Sequence, residues 1–143
     1  MERVFKEHPP LLWEPVSQNP MEVKLANMRA AIASGADPNE LDGTKMPRVG
    51  RPLHYAISSL AFVNYETLKK NLPIIELLLE SGADPRLSAL KEVSALDEVS
   101  SWLSAFDKNG KNWAEEDIAL KPFYEAAYKT MKKVADKLDC KFA

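Results

Sequence analysis

Few residues in this chain could do covalent or acid–base chemistry: two histidines, His8 and His54, one cysteine, Cys140, and a scatter of carboxylates. A cysteine nucleophile needs a neighbouring base to raise its thiolate fraction. The surroundings of Cys140, KLDCKFA, carry no such pattern, so a plain thiol on a terminal helix is the favoured reading. A zinc site needs His and Cys at ligand spacing, which two distant histidines and one cysteine do not provide. Asp37, Asp42 and Asp84 could serve as acids or as calcium ligands. Asp37 and Asp84, however, follow helix ends, where an aspartate commonly bonds the turn backbone. His8 lies among prolines and is expected to be exposed. There is no Gly-rich phosphate loop. The expectation is no catalytic residue, no metal and no cofactor.

Contact chemistry is better represented. The stretch Asn39 to Arg51, NELDGTKMPRVGR, carries Lys45, Met46, Arg48 and Arg51; a disordered insertion is the alternative, but arginine and methionine are enriched where proteins meet. A second cationic set, Lys129, Lys133 and Lys137 with Lys132 beside them, recurs at four-residue steps. It could meet an acidic partner or nucleic acid, but a solvated face opposite an apolar stripe, helped by the helix dipole, is the favoured reading.

The elements that must position these residues all read as helices. Residues 1–19 are proline-rich and irregular, with Leu11, Leu12 and Trp13 forming an N-terminal cover. Asn19-Pro20 reads as an N-cap followed by proline at the first helical position, and MEVKLANMRAAIAS then runs to Gly35, suited to a left-handed helix end. Residues 37–52 have turn chemistry throughout. HYAISSLAFV is the next helix, NYETLKKN a polar connection or extra turn, and NLPIIELLLES a helix closed by Gly82. After PRLSALKEVS comes the helix ALDEVSSWLSAF. A loop with its turn at Asn109-Gly110 follows, then a helix from about Pro122 to Leu138. In that last helix Tyr124, Ala127, Tyr128, Met131, Val134, Ala135 and Leu138 recur at three- and four-residue steps. No alternating run has a partner, so the fold class is all-α.

With 143 residues, 45% hydrophobic and 28% charged, the chain fits one globular domain. Such a domain buries enough surface to need no metal or disulfide. Nineteen basic against 21 acidic residues leave a net charge of −2, which argues against binding by neutralising many phosphates. A single cysteine fits a reducing compartment. The N-terminal residues show no signal-like apolar run, and no stretch approaches the roughly 20 apolar residues of a membrane span. A cytoplasmic protein, monomeric when free and without nucleic-acid or membrane binding, is expected.

Two segments are near copies: SGADPNEL at 34–41 and SGADPRLS at 81–88. Between them GRPLHYAI, residues 50–57, is similar to the T-P-L-H-x-A signature of ankyrin repeats, with Pro52, Leu53, His54 and Ala56 matching and Arg51 in place of threonine. IIELLLESGADP then resembles the second helix and exit turn of the same repeat. Gly35 and Gly82 lie 47 residues apart, against a family repeat of about 33. The excess falls in two places: the loop before His54, and the connection between His54 and Ile74. A third, weaker frame at Ser94, Ala95, Leu96, Asp97 and Val99 lacks the histidine. The resemblance covers about residues 28–99, is plausible over 100–143 and does not reach residues 1–18.

The resemblance implies an ankyrin-like stack of helix pairs with inserted loops and a long C-terminal helix. One domain is expected: a cover at 1–19, recognisable repeats at 20–99 and capping helices at 100–143. It implies structural roles for Gly35, Gly82, Pro52, Leu53, His54 and Ala56, with His54 hydrogen-bonding between turns. In this family the loop tips and first-helix faces bind proteins. Lys45, Met46, Arg48, Arg51 and Tyr55 are therefore the expected contact residues, with Tyr55 pointing outward. The implied function is a module that inhibits or scaffolds one partner protein, as an immunity protein does for a toxin. The alternatives are a small enzyme or accessory factor acting on a metabolite in a pocket between the inserted loops, and a structural subunit of a larger assembly.

Overall fold

The computed structural model describes residues 10–40, 51–57, 66–88, 93–108 and 119–142, and every regular element among them is helical. In chain order these are α1 (Pro10–Trp13), a 3-10 turn (Glu14–Val16), α2 (Met21–Ala33), α3 (Pro52–Ile57), α4 (Glu66–Lys70), α5 (Leu72–Glu80), α6 (Ala95–Lys108) and α7 (Lys121–Phe142). The β pairing among the described residues is one isolated antiparallel bridge, Ser88 with Ser94. His8, Asp42, Lys45, Met46, Arg48, Trp113, the Asn109-Gly110 turn and the stretch SSLAFV expected to continue α3 lie outside the described residues.

The start of α2 differs in detail from the sequence expectation. Pro20 is the capping residue, its carbonyl accepting the N–H groups of Val23 and Lys24 at 3.0 Å each. Asn19 makes no cap. Its side-chain amide donates instead to the Glu14 carboxylate, at 2.8 and 3.2 Å. Glu14 is only 3% exposed, and a buried carboxylate is costly without donors, so it captures the asparagine that local sequence would assign to the helix end.

Both expected glycine stops hold, by the same device. Gly35 has φ 98° and Gly82 φ 106°. The Gly35 N–H donates to the Ile32 carbonyl at 3.0 Å and the Ala36 N–H to that of Ala31 at 3.0 Å. The counterparts are Gly82 to Leu79 at 3.2 Å and Ala83 to Leu78 at 2.9 Å. This double bond across a left-handed residue satisfies carbonyls that a helix end leaves open.

The helices pack in pairs: α1 on α2, α3 on α5, and α6 on α7. Neighbouring pairs touch through like members, α1 with α3 and α3 with α6 on one side, α2 with α5 and α5 with α7 on the other. One hydrophobic cluster runs through all three pairs and includes Leu11, Met28, Leu53, Ile75, Leu78, Val99 and Met131. The rings of Phe106 on α6 and Tyr124 on α7 meet edge to face at 5.3 Å, a favoured aromatic geometry.

Three further details refine the sequence expectation. The polar-looking ETLKK segment is a helix whose Leu68 is fully buried, packed on α3, α5 and α7. Helix α6 begins where the third frame lacks its histidine. There the Ser94 hydroxyl accepts the Asp97 N–H at 3.0 Å and caps the helix, with Asp97 and Glu98 in its first turn, favourable toward the dipole. Helix α7 extends beyond the expected Pro122–Leu138 at both ends.

Candidate functional site at the repeated turns

The two SGADP segments form one turn built twice. The Asp37 carboxylate accepts the Asn39 N–H at 2.8 Å, and the Asp84 carboxylate accepts the Arg86 N–H at 2.9 Å. The Glu40 N–H reaches the Asp37 carbonyl at 3.1 Å and the Leu87 N–H the Asp84 carbonyl at 3.3 Å. Each aspartate thus nucleates its own turn, the role that competes with acid–base chemistry at these positions. Arg86 holds the Asp84 carboxyl below its ordinary range through side-chain hydrogen bonds, against a smaller opposing effect of burial. The Arg86–Asp84 pair itself closes at 2.9 Å.

Asn39 joins the copies. Its amide donates to the Gly82 carbonyl at 3.1 Å, and its side-chain oxygen accepts the Asp84 N–H at 2.6 Å. Arg51 extends the connection: Nη1 donates to the Asn39 carbonyl at 2.6 Å and Nε to the Ser88 carbonyl at 2.9 Å. His54 completes it. Its Nδ1 accepts the Arg51 N–H at 3.3 Å, which leaves the ring proton on Nε2, facing the Val93 carbonyl at 2.8 Å. A neutral imidazole suits both contacts. Burial lowers the His54 pKa from its ordinary 6.5, partly offset by the Val93 hydrogen bond, and the Arg51 charge lowers it further.

These bonds revise the expected contact residues. Arg51 is half-buried with its guanidinium engaged by two backbone carbonyls. Tyr55 does not point outward: it is 4% exposed. The reason is that α3 is covered from several sides, by α1, the 3-10 turn, α4, α5 and α6. Five of its six residues are buried, leaving His54 as the one that faces the turns. Pro52, Leu53 and Ala56 are core residues. The Arg51–Asn39 bond joins the two described ends of the chain that flank residues 41–50. On α7 the residues Lys129, Lys133 and Lys137 are exposed, and Lys132 pairs with Asp136 at 3.1 Å.

No family model matches this chain, and neither does a curated protein or a solved structure. Among the described residues no group of three His, Cys, Asp or Glu side chains is placed to hold a metal, and no helix is long and apolar enough to cross a membrane.

Two features escape sequence reasoning. Asn71, in the segment read as a connection, is 3% exposed and donates to the carbonyls of Pro15 at 3.3 Å and Ala56 at 3.1 Å. It ties the N-terminal 3-10 turn to the end of α3. A groove of about 1210 Å³ also opens between α1, the 3-10 turn and α2, with Trp13, Glu14, Asn27, Ala30 and Ala31 among its walls. Its one signal in the sequence is α2 itself, which carries apolar residues on every side.

Proposed function

We propose that this chain is an ankyrin-like module that binds a single partner protein and inhibits or scaffolds it, with residues 41–50 as the principal contact segment. The observation that carries this reading is the clamp at the base of that segment. Asn39 and Arg51 are bonded to each other and, through Gly82, Asp84 and Ser88, to the following turn. A binding loop gains affinity when its ends are fixed before the partner arrives, because less conformational freedom is lost on association. Lys45, Met46 and Arg48 lie between those fixed ends, and Arg51 acts in the clamp.

The like-with-like packing of three helix pairs, the twinned exit turns and the histidine bridging Arg51 and Val93 all favour the ankyrin reading. The lengthened spacing between turns and the Ser94 cap in place of a third histidine are departures from the family pattern. Blocking a partner, as an immunity protein does, is the sharper form of the proposal.

The test is capture from the native host's lysate with the wild-type chain and with a Lys45→Ser, Met46→Ser, Arg48→Ser triple variant. A protein retained by the wild type and lost by the triple variant at equal melting temperature is the expected result. Equal capture by both places the contact elsewhere.

A further inference from the structure

The groove between α1 and α2 has an unusual floor. Glu14 is 3% exposed, and it is the one charged residue among the described residues that line the groove. Its carboxylate is held by neutral donors: the Asn19 amide at 2.8 and 3.2 Å and the Asn27 amide at 3.4 Å. Lys24 senses the Glu14 charge, but no lysine or arginine of the described residues forms an ion pair with it. A buried ionised carboxylate is stabilised most by an opposite charge. Among the described residues no such charge closes on it, and Glu14 borders the open groove.

The walls are apolar where they are not amide or hydroxyl. Trp13, Ala30 and Ala31 line the groove, and α2 goes on presenting apolar groups beyond it. Ala26 and Ala33 are exposed, as is Val23 at 38%, interleaved with the exposed Glu22 and Arg29. A surface helix ordinarily turns its polar side outward. A long cationic side chain fits such a place, because its methylene stem covers apolar wall while its head meets the carboxylate.

We propose that this groove receives an arginine or lysine side chain of the partner protein, its head group on Glu14 and its stem along Trp13 and Ala30, while the same partner covers the outer face of α2. The groove runs to Gly35 and Ala36, next to the turn that leads into Asn39. The proposal rests on the partner-binding reading and adds the sign and chemistry of the contact.

The probe is Nα-acetyl-arginine amide, titrated into the ¹⁵N-labelled full chain, with Nα-acetyl-citrulline amide as an uncharged control of the same shape. The arginine probe should shift the side-chain amides of Asn19 and Asn27 and the Trp13 indole, saturating at least tenfold more tightly than citrulline. Glu14→Gln should reduce arginine to the citrulline level. Because Glu14→Gln also weakens the bonds to Asn19 and Asn27, Ala30→Phe gives a second arm. It fills the groove from an exposed helix position and should abolish arginine binding at unchanged helicity. Equal shifts from both probes, shifts that map elsewhere, or arginine binding that survives Ala30→Phe would overturn the proposal. So would a dimer in sedimentation that Ala30→Phe dissociates, since the face would then belong to a second copy. The titration uses no partner, so it can fail while the residue 41–50 contact stands, and lysate capture can fail while the titration succeeds.

Discussion

The side chain of Asn39 binds the backbone on both sides of Ala83, donating to the Gly82 carbonyl at 3.1 Å and accepting the Asp84 N–H at 2.6 Å. Two turns 47 residues apart in sequence are thereby held in fixed register. Asn39→Ala removes both bonds and should cost about 1–3 kcal/mol, the range for leaving polar groups unsatisfied. Asp37→Ala, which loses the local bond to the Asn39 N–H, should cost less. Urea midpoints of the two variants check the order, and equal midpoints would mean that the turns are not coupled through Asn39.

Stability should depend on pH through His54. Burial lowers its folded pKa below the unfolded value of 6.5, so the unfolded chain takes up the proton more readily. The stability from the neutral ring is then fully present above pH about 6.5 and declines as pH falls through that value toward the lower folded pKa. His54→Asn should be less stable than wild type at pH 8 and should flatten the decline between pH 7 and 5. Urea titrations at four pH values test this, and parallel pH profiles would exclude His54 as its source.

Gly35→Ala and Gly82→Ala should each cost about 1–2 kcal/mol, the penalty for an L side chain in left-handed backbone. A Cβ built at either position meets nothing within 4 Å, so the cost is conformational and should be similar at both sites. Asparagine should be tolerated better than alanine. Thermal melts of the four variants measure it, and a large difference between the sites would show that the turns are not equivalent.

Leu78 on α5 is fully buried in the middle helix pair, and Leu78→Ala should destabilise by about 2–5 kcal/mol. Leu68→Ala should fall in the same range, although its segment looks polar, because Leu68 is equally buried. Denaturant unfolding compares them. A wild-type midpoint for Leu68→Ala would make α4 peripheral.

Binding and folding should separate cleanly between Arg48 and Tyr55. Arg48→Ala should weaken partner affinity at least tenfold, about 1.4 kcal/mol, with little change in melting temperature. Tyr55→Ala, at a position 4% exposed, should lower the melting temperature and affect affinity only through that loss. Calorimetry beside melting curves on both variants makes the distinction.

The local signals in the sequence were enough to give the helical class, both glycine stops and the two matching turns. Each depends on contacts within a few residues: a left-handed glycine, an aspartate bonding two positions on, an apolar period of three to four. Tertiary structure decided the rest. Asn19 belongs to Glu14 instead of the helix end because a buried carboxylate five residues away needs donors. Tyr55 faces inward because α3 is covered on several sides at once, so one-dimensional amphipathic reasoning has no outward face to assign. Arg51 is a latch because the Asn39 and Ser88 carbonyls, 12 and 37 residues away, converge on it. The charge at the floor of the α1–α2 groove follows from the same cause. Burial and partner choice are set by which segments meet in space, and even the close pair Glu14 and Asn19 is decided by burial that no short window of sequence shows.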